Sequence, residues 1–245
     1  MRTKKWLVLL AVAGLALVGC DDDDENGADD NDNGEEAAAE LSEEFCQANV
    51  DAEAAASAED PEALQSAIDA AQASAPEDLV DEVETVADGF ATDPEAAFED
   101  PAVQEAITAL DEAVLDGCGF EVVEVDAQDY EFQGVPDTIE AGTIAFEFSN
   151  APDAEPHEMV VLRINEGVTE TAEEILQLPE EEAMTKATPV AFAFASAGET
   201  DASFVELESG DYFMACFIPT GSTDETDGEG PPHFVEGMLT EFTVS

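Results

Sequence analysis

The chain predicts an α+β multidomain protein, a small disulfide-clipped helical bundle followed by a β-sandwich. Three observations carry this. Between about residues 41 and 118 apolar residues recur at helical spacing behind cap-then-proline starts. From Phe120 onward the period changes to alternation, in short runs separated by turn residues. Cysteines stand near the two ends of the helical stretch, at Cys46 and Cys118. The expected order is a signal peptide over residues 1–19, an acidic disordered tether over 20–40, the helical domain over 41–118 and the β-domain over 119–245.

The 245 residues carry a formal charge of −57 with only five Lys and Arg. Three of those, Arg2, Lys4 and Lys5, open the chain, so only Arg163 and Lys186 stand in all that follows. Such a surface repels phosphate, which excludes nucleic acid and charge-driven binding to anionic lipid. The acid is spread over both domains. That pattern resembles proteins of salt-loving, halophilic organisms, whose dense carboxylates have their repulsion screened. No EF-hand spacing marks a calcium site.

Arg2, Lys4 and Lys5 form a positive n-region, and Trp6–Leu17 is an apolar run short for a membrane span. It ends in Leu17-Val18-Gly19-Cys20, which resembles a bacterial lipobox. The resemblance implies cleavage before Cys20 and diacylglycerol on its sulfur, a lipid anchor on the extracytoplasmic face of the cell membrane. The stretch behind it is acidic, with no large apolar residue until Leu41. It cannot bury surface to offset the cost of ordering, and its like charges extend it.

Four helices are expected in the next domain. Ser42 caps the first, with Phe45, Ala48, Asn49 and Ala52 on its facing stripe. Asp60-Pro61 starts the second, with Leu64, Ile68 and Ala71 on one face. Pro76 starts the third, with Leu79, Val83, Val86 and Phe90 inward. Asp100-Pro101 starts the fourth, with Val103, Ile107, Leu110 and Val114 inward and Gly117 as its stop. Many inward positions are Ala, so the core is thin. A disulfide between Cys46 and Cys118 would clip the ends. The arithmetic supports it, with Cys20 used by lipid and Cys216 left over. The domain reads as a spacer or as a docking surface or lid for the β-domain.

In the β-domain the expected strands are Phe120–Val125, Tyr130–Phe132, Thr143–Phe148, His157–Ile164, Val190–Phe194, Ala202–Leu207, Tyr212–Phe217 and Leu239–Val244. Ile144, Phe146 and Phe148 share one face, and Thr171 caps a short helix reaching Leu178. Many short strands with turns between them indicate a sandwich.

Within this half lie Asn150 followed by Pro156-His157, Ser209-Gly-Asp-Tyr-Phe-Met-Ala-Cys216, and His233-Phe-Val-Glu-Gly-Met238 with a closing strand. These segments resemble the cupredoxins, the family of plastocyanin and azurin, over roughly the last half of the chain. The whole also resembles secreted actinobacterial lipoproteins with such a tail. The resemblance implies a cupredoxin-like β-sandwich and one type 1-like copper held by His157, Cys216, His233 and Met238. A thiolate and two imidazoles suit both oxidation states of copper, and an axial thioether tunes the potential. The chain has only two histidines, and both fall in this frame.

One departure stands out. In the family the Cys and the second His share a tight loop, whereas here Thr220–Pro232 intervenes. Its Gly, Ser, Asp and Pro content makes it a loop. It is expected to leave after Pro219 and return at Pro231-Pro232. Loop closure grows slowly with length, so the excursion is tolerable, though it holds the ligands less firmly. Its acids also offer a second cation something to bind.

The function these residues indicate is copper binding, for electron transfer with a redox partner protein or for copper handling. The alternative is a metal-free interaction or envelope module with Cys216 buried and inert. An enzyme is the weakest reading. No Gly-x-Ser-x-Gly elbow and no phosphate-cradling glycine loop occurs. Zinc would leave Met238 unexplained.

Overall fold

The computed structural model describes residues 40–245 except Glu95. The signal peptide, the lipid-accepting Cys20 and nearly all of the tether lie outside the described residues. Among the described residues no helix is long and apolar enough to cross a membrane.

The helical part comprises α1 (Glu43–Ser57), α2 (Pro61–Ser74), α3 (Val80–Thr92) and α4 (Pro101–Gly117), with a 3₁₀ turn at Ala97–Glu99 before α4. The caps act as their residue types dictate. The side chains of Ser42, Asp60 and Asp100 accept N–H bonds from the first turns of α1, α2 and α4. One boundary differs from expectation. The chain after Pro76 makes a turn, and α3 begins only at Val80, where Leu79 sits at the cap without a side-chain bond. Helix α4 ends at Gly117 as expected, and the left-handed residue beyond it is Gly119, at φ 65°. The buried stripe of α1 is Phe45, Cys46, Ala48, Val50 and Ala55, one turn longer than the expected one.

Cys46 and Cys118 form a disulfide across a sequence separation of 72. Beside it the N–H of Leu41 donates to the carbonyl of Gly117, so the first helix starts where the last one ends.

The β-domain is a two-sheet sandwich. Its strands are β1 (Glu121–Gln128), β2 (Glu131–Gln133), β3 (Thr138–Ile139), β4 (Gly142–Asn150), β5 (His157–Ile164), β6 (Ala187–Ala195), β7 (Thr200–Leu207), β8 (Gly210–Ala215) and β9 (Leu239–Val244). One sheet has the order β2-β1-β4-β7, the other β3-β9-β8-β5-β6. Parallel pairing joins β1 to β4 and β3 to β9, and the remaining pairs are antiparallel. Between β5 and β6 lie short helices α5 (Ala172–Leu176) and α6 (Glu180–Ala183). Thr171 and Glu174 close a capping box on α5. A last turn of helix, α7 (His233–Glu236), precedes β9.

The core between the sheets holds Ile144, Phe146, Phe148, Met159, Val161, Met214, Phe242 and Val244. Ile144, Phe146 and Phe148 alternate inward as expected, but Ala145 between them is also fully buried. It faces the helices. Phe45, Val50, Val83, Leu110 and Val114 pack with Ala145, Ala202 and Phe204. A bundle rich in alanine thus completes its core against the outer face of a sheet. Each large side chain so buried contributes on the order of 1.5–3 kcal/mol. Helix α1 packs on both β7 and β6, one edge strand of each sheet.

This junction also half-buries the carboxyls of Glu53, Asp111 and Asp201. Glu53 of α1 accepts from the Ser203 hydroxyl at 3.1 Å, and Asp201 accepts from the Phe194 N–H at 2.8 Å. Burial, reinforced by the charge of Asp201, pushes the Glu53 carboxyl from 4.5 to about 8. Burial raises Asp201 to about 6 and holds Asp111 of α4 well above its usual range. A carboxyl raised in the folded state favours folding most below its unfolded pKa. That contribution is lost as pH rises through the folded value.

Two outcomes are therefore expected. Glu53→Gln raises the thermal midpoint between pH 8 and 9 and leaves it near that of the wild type at pH 4.5, as read by circular dichroism over that range. Replacing both Cys46 and Cys118 by Ser lowers unfolding free energy in urea by about 4 kcal/mol, from the chain entropy of a loop this long.

Candidate metal centre

The site lies where β5, β8 and α7 converge. His157 is the first residue of β5, Cys216 follows the last residue of β8, and His233 opens α7. All three are fully buried. Their ligand atoms lie within 4.8 Å of one another. His157 Nδ1 is 3.0 Å from His233 Nδ1, and Cys216 Sγ is 3.3 Å from His233 Nδ1 and 4.0 Å from His157 Nδ1.

Met238 is fully buried in the same core cluster as Cys216. Its backbone ties the site together: its N–H donates to the His233 carbonyl, and its carbonyl accepts from the Cys216 N–H. Gly237, at φ 125°, makes the turn that sets this up.

The segment 151–156 is fixed from below. Asn150 is buried, and its side-chain amide donates to the carbonyls of Glu155 at 2.8 Å and Ala195 at 3.0 Å. Pro156 removes a backbone donor immediately before the ligand strand.

The long insert is tied at its base. Pro219 and Pro232 form an isolated bridge, and the Thr220 N–H donates to the Pro231 carbonyl at 2.9 Å. His233 and Phe234 donate backbone N–H bonds to Ile218 and Cys216, each at 2.9 Å. A Cβ on Gly228 would stand 2.2 Å from the Thr220 carbonyl oxygen, so the insert folds back on itself too closely for any larger residue. The excursion leaves and returns at the expected prolines, and the ligand-bearing ends are held as by a short loop.

Each ligand has its own electrostatic setting. Burial pushes the Cys216 thiol far up, the nearby Glu158 charge adds to this, and N–H groups of Glu158 and Ile218 oppose it. Burial also lowers both histidines; for His157 the neighbouring ring adds to the effect, and Asp129 opposes it. The outward Nε2 atoms meet carboxylates: His157 meets Asp129 at 3.0 Å and His233 meets Glu155 at 3.1 Å. Burial raises the Glu155 carboxyl, but bonds from Gly221, His233 and Tyr130 outweigh it and leave it below the usual range. Glu158 accepts from the Phe217 N–H at 2.9 Å while burial lifts its carboxyl to about 7.

A count of protons shows what the centre can hold. Along the row from Asp129 through the two rings to Glu155 there are three contacts of 3.0–3.1 Å. Each needs one hydrogen, and two neutral imidazoles supply two. With both Nε2–H groups donated to carboxylates, the Nδ1 lone pairs face each other. The thiol proton can serve one of them and leaves the other without a donor. A third ring proton would make a buried imidazolium, which burial disfavours. A cation between the two Nδ1 atoms and the sulfur resolves the conflict, so the residues present fit a bound metal.

Asp129, Tyr130, Glu155 and Glu158 have no expected role in the sequence reading. Their only signal is proximity to His157 or to a predicted strand, and in a chain with 62 Asp and Glu that signal is lost.

No protein-family model and no curated protein matches this chain. Solved structures do. Auracyanin A of Chloroflexus aurantiacus, described as a blue copper protein, is 18% identical over 52% of this chain and 100% of its own, with a TM-score of 0.34. Auracyanin of Roseiflexus castenholzii is 20% identical over 51% of this chain and 96% of its own, at 0.34. Rusticyanin of Thiobacillus ferrooxidans is 15% identical over 52% and 80%, at 0.30. Likenesses this low leave the fold to be read from its own strand order and the site from its own geometry.

Proposed function

We propose that this protein is an extracytoplasmic lipoprotein, anchored in the cell membrane through Cys20, whose β-domain binds one copper ion for electron transfer or copper handling. The observation that carries the metal reading is the pair of inward Nδ1 atoms, 3.0 Å apart and beside a buried sulfur, with one proton too few between the flanking carboxylates. His157, Cys216 and His233 would hold the ion, with Met238, buried in the same core as Cys216, as the fourth ligand. Thiolate, imidazole and thioether donors favour copper over magnesium, calcium or manganese, and Met238 favours it over zinc. Copper supplies a one-electron couple there. The chain supplies a buried, prearranged set of donors and apolar neighbours, Met214, Ile218 and Phe234, that restrict water near the sulfur.

The anchor rests on the Leu17–Cys20 motif and its preceding apolar run. The Cys46–Cys118 disulfide supports an oxidising, extracytoplasmic setting. The absence of an elbow serine or phosphate loop supports a role without bond-making chemistry. A redox partner protein follows from the electron-transfer reading.

The test is addition of Cu(II) to the full chain in detergent. One equivalent should bind and produce an intense visible thiolate-to-copper band, lost in Cys216→Ser. A colourless protein with an unreactive thiol would leave the metal-free module standing instead. Labelled fatty acid should enter the wild type and not Cys20→Ser.

A further inference from the structure

The bonds outside the ligands form one connected set. Asp129 Oδ1 meets His157 Nε2 and also accepts from the Glu155 N–H at 3.1 Å. Glu155 Oε2 meets His233 Nε2 and accepts from the Gly221 N–H at 2.7 Å. Glu155 Oε1 accepts from the Tyr130 hydroxyl at 3.1 Å. The Tyr130 ring lies against both imidazoles, 4.6 Å from His233 and edge-on to His157 at 6.4 Å. Two carboxylates and one phenol thus cover the outer edges of both rings, and both rings are fully buried.

We propose that Asp129 and Glu155 are positioning residues of the metal centre, a carboxylate pair that keeps each imidazole protonated at Nε2 and turns its Nδ1 lone pair inward. The proposal rests on the copper reading above. A carboxylate accepting the outer N–H fixes the tautomer and raises the basicity of the inner nitrogen. A more basic pair of imidazoles favours Cu(II) over Cu(I), so the pair also lowers the reduction potential. Glu155 has a second task. Its bond from Gly221 links the insert after Pro219 to the His233 ring, which lets a ligand loop this long keep the ring in one orientation. Asp129 and Glu155 come from different loops and are joined to each other, so displacing either disturbs both rings.

Glu155→Gln and Asp129→Asn keep the shape and remove the charge. Nitrogen-15 NMR of the copper-free full chain in detergent should show both wild-type imidazoles protonated at Nε2, and mixed tautomers at His233 in Glu155→Gln and at His157 in Asp129→Asn. In the copper-loaded protein each variant should keep the visible band. Its preference for Cu(II) over Cu(I) should fall about tenfold, a rise in potential of about 59 mV. Glu62→Gln, on exposed α2, controls for lost charge at a distance. A wild-type tautomer pattern in both variants, or a potential shift no larger than that of Glu62→Gln, would overturn the proposal. A wild type that binds no copper yet shows both Nε2–H tautomers would sink the copper reading and leave the carboxylate pair intact.

Discussion

Three buried electron-pair donors, two imidazole nitrogens and a sulfur, are forced to share one small volume, and the rest of the β-domain is arranged to make them do so. His157 is held by the start of β5, and Cys216 by the end of β8, beside it in the same sheet. His233 hangs from the Ile218 carbonyl through its own N–H, and the next residue, Phe234, donates to the Cys216 carbonyl. Buried polar atoms without partners are costly, on the order of 1–3 kcal/mol each. A fold that assembles such a centre has to hold it by packing and outer hydrogen bonds, and this one uses both.

The helical part participates in that rigidity. Its alanine-rich interior is too thin to stand well alone, and Phe45, Val50 and Val114 find their partners in Ala145 and Phe204. Strand β4 is consequently buried on both faces. It also carries Asn150 at its end, whose amide fixes the approach to His157. The helices and the site are therefore connected through β4 and through β6, which α1 touches and which pairs with β5 at His157. The half-buried carboxyls of Glu53, Asp111 and Asp201 at the same junction make its cohesion depend on pH.

Much of this was legible in the residues. The Ser42, Asp60 and Asp100 caps mark helix starts because their side chains replace missing backbone partners, a local effect. Strands β5 and β9 match their expected ranges because alternation and flanking turns both apply. The Pro76 start failed because a proline can also open a turn, and Leu79 then takes the cap. Gly117 marks the end of α4 as expected, while the left-handed residue stands two positions later at Gly119. Burial of Ala145 depends on a partner far away in sequence, which no local period reports. At the site, the order of His157, Cys216, His233 and Met238 was visible, and the structure brings the first three side chains together with Met238 buried in the same core. Asp129 and Glu155 were not visible, since nothing local separates a carboxylate aimed at a ring from one aimed at water.

The enclosure of both imidazoles and the sulfur has a corollary for what such a centre can exchange with its surroundings. Tyr130, Asp129 and Glu155 stand over the rings, and Cys216 lies in the apolar core with Met214 and Met238. Neither imidazole and no part of the Cys216 sulfur is exposed to solvent. The wall over the two rings is therefore polar, made of two carboxylates and a phenol, on donors that have no contact of their own with solvent.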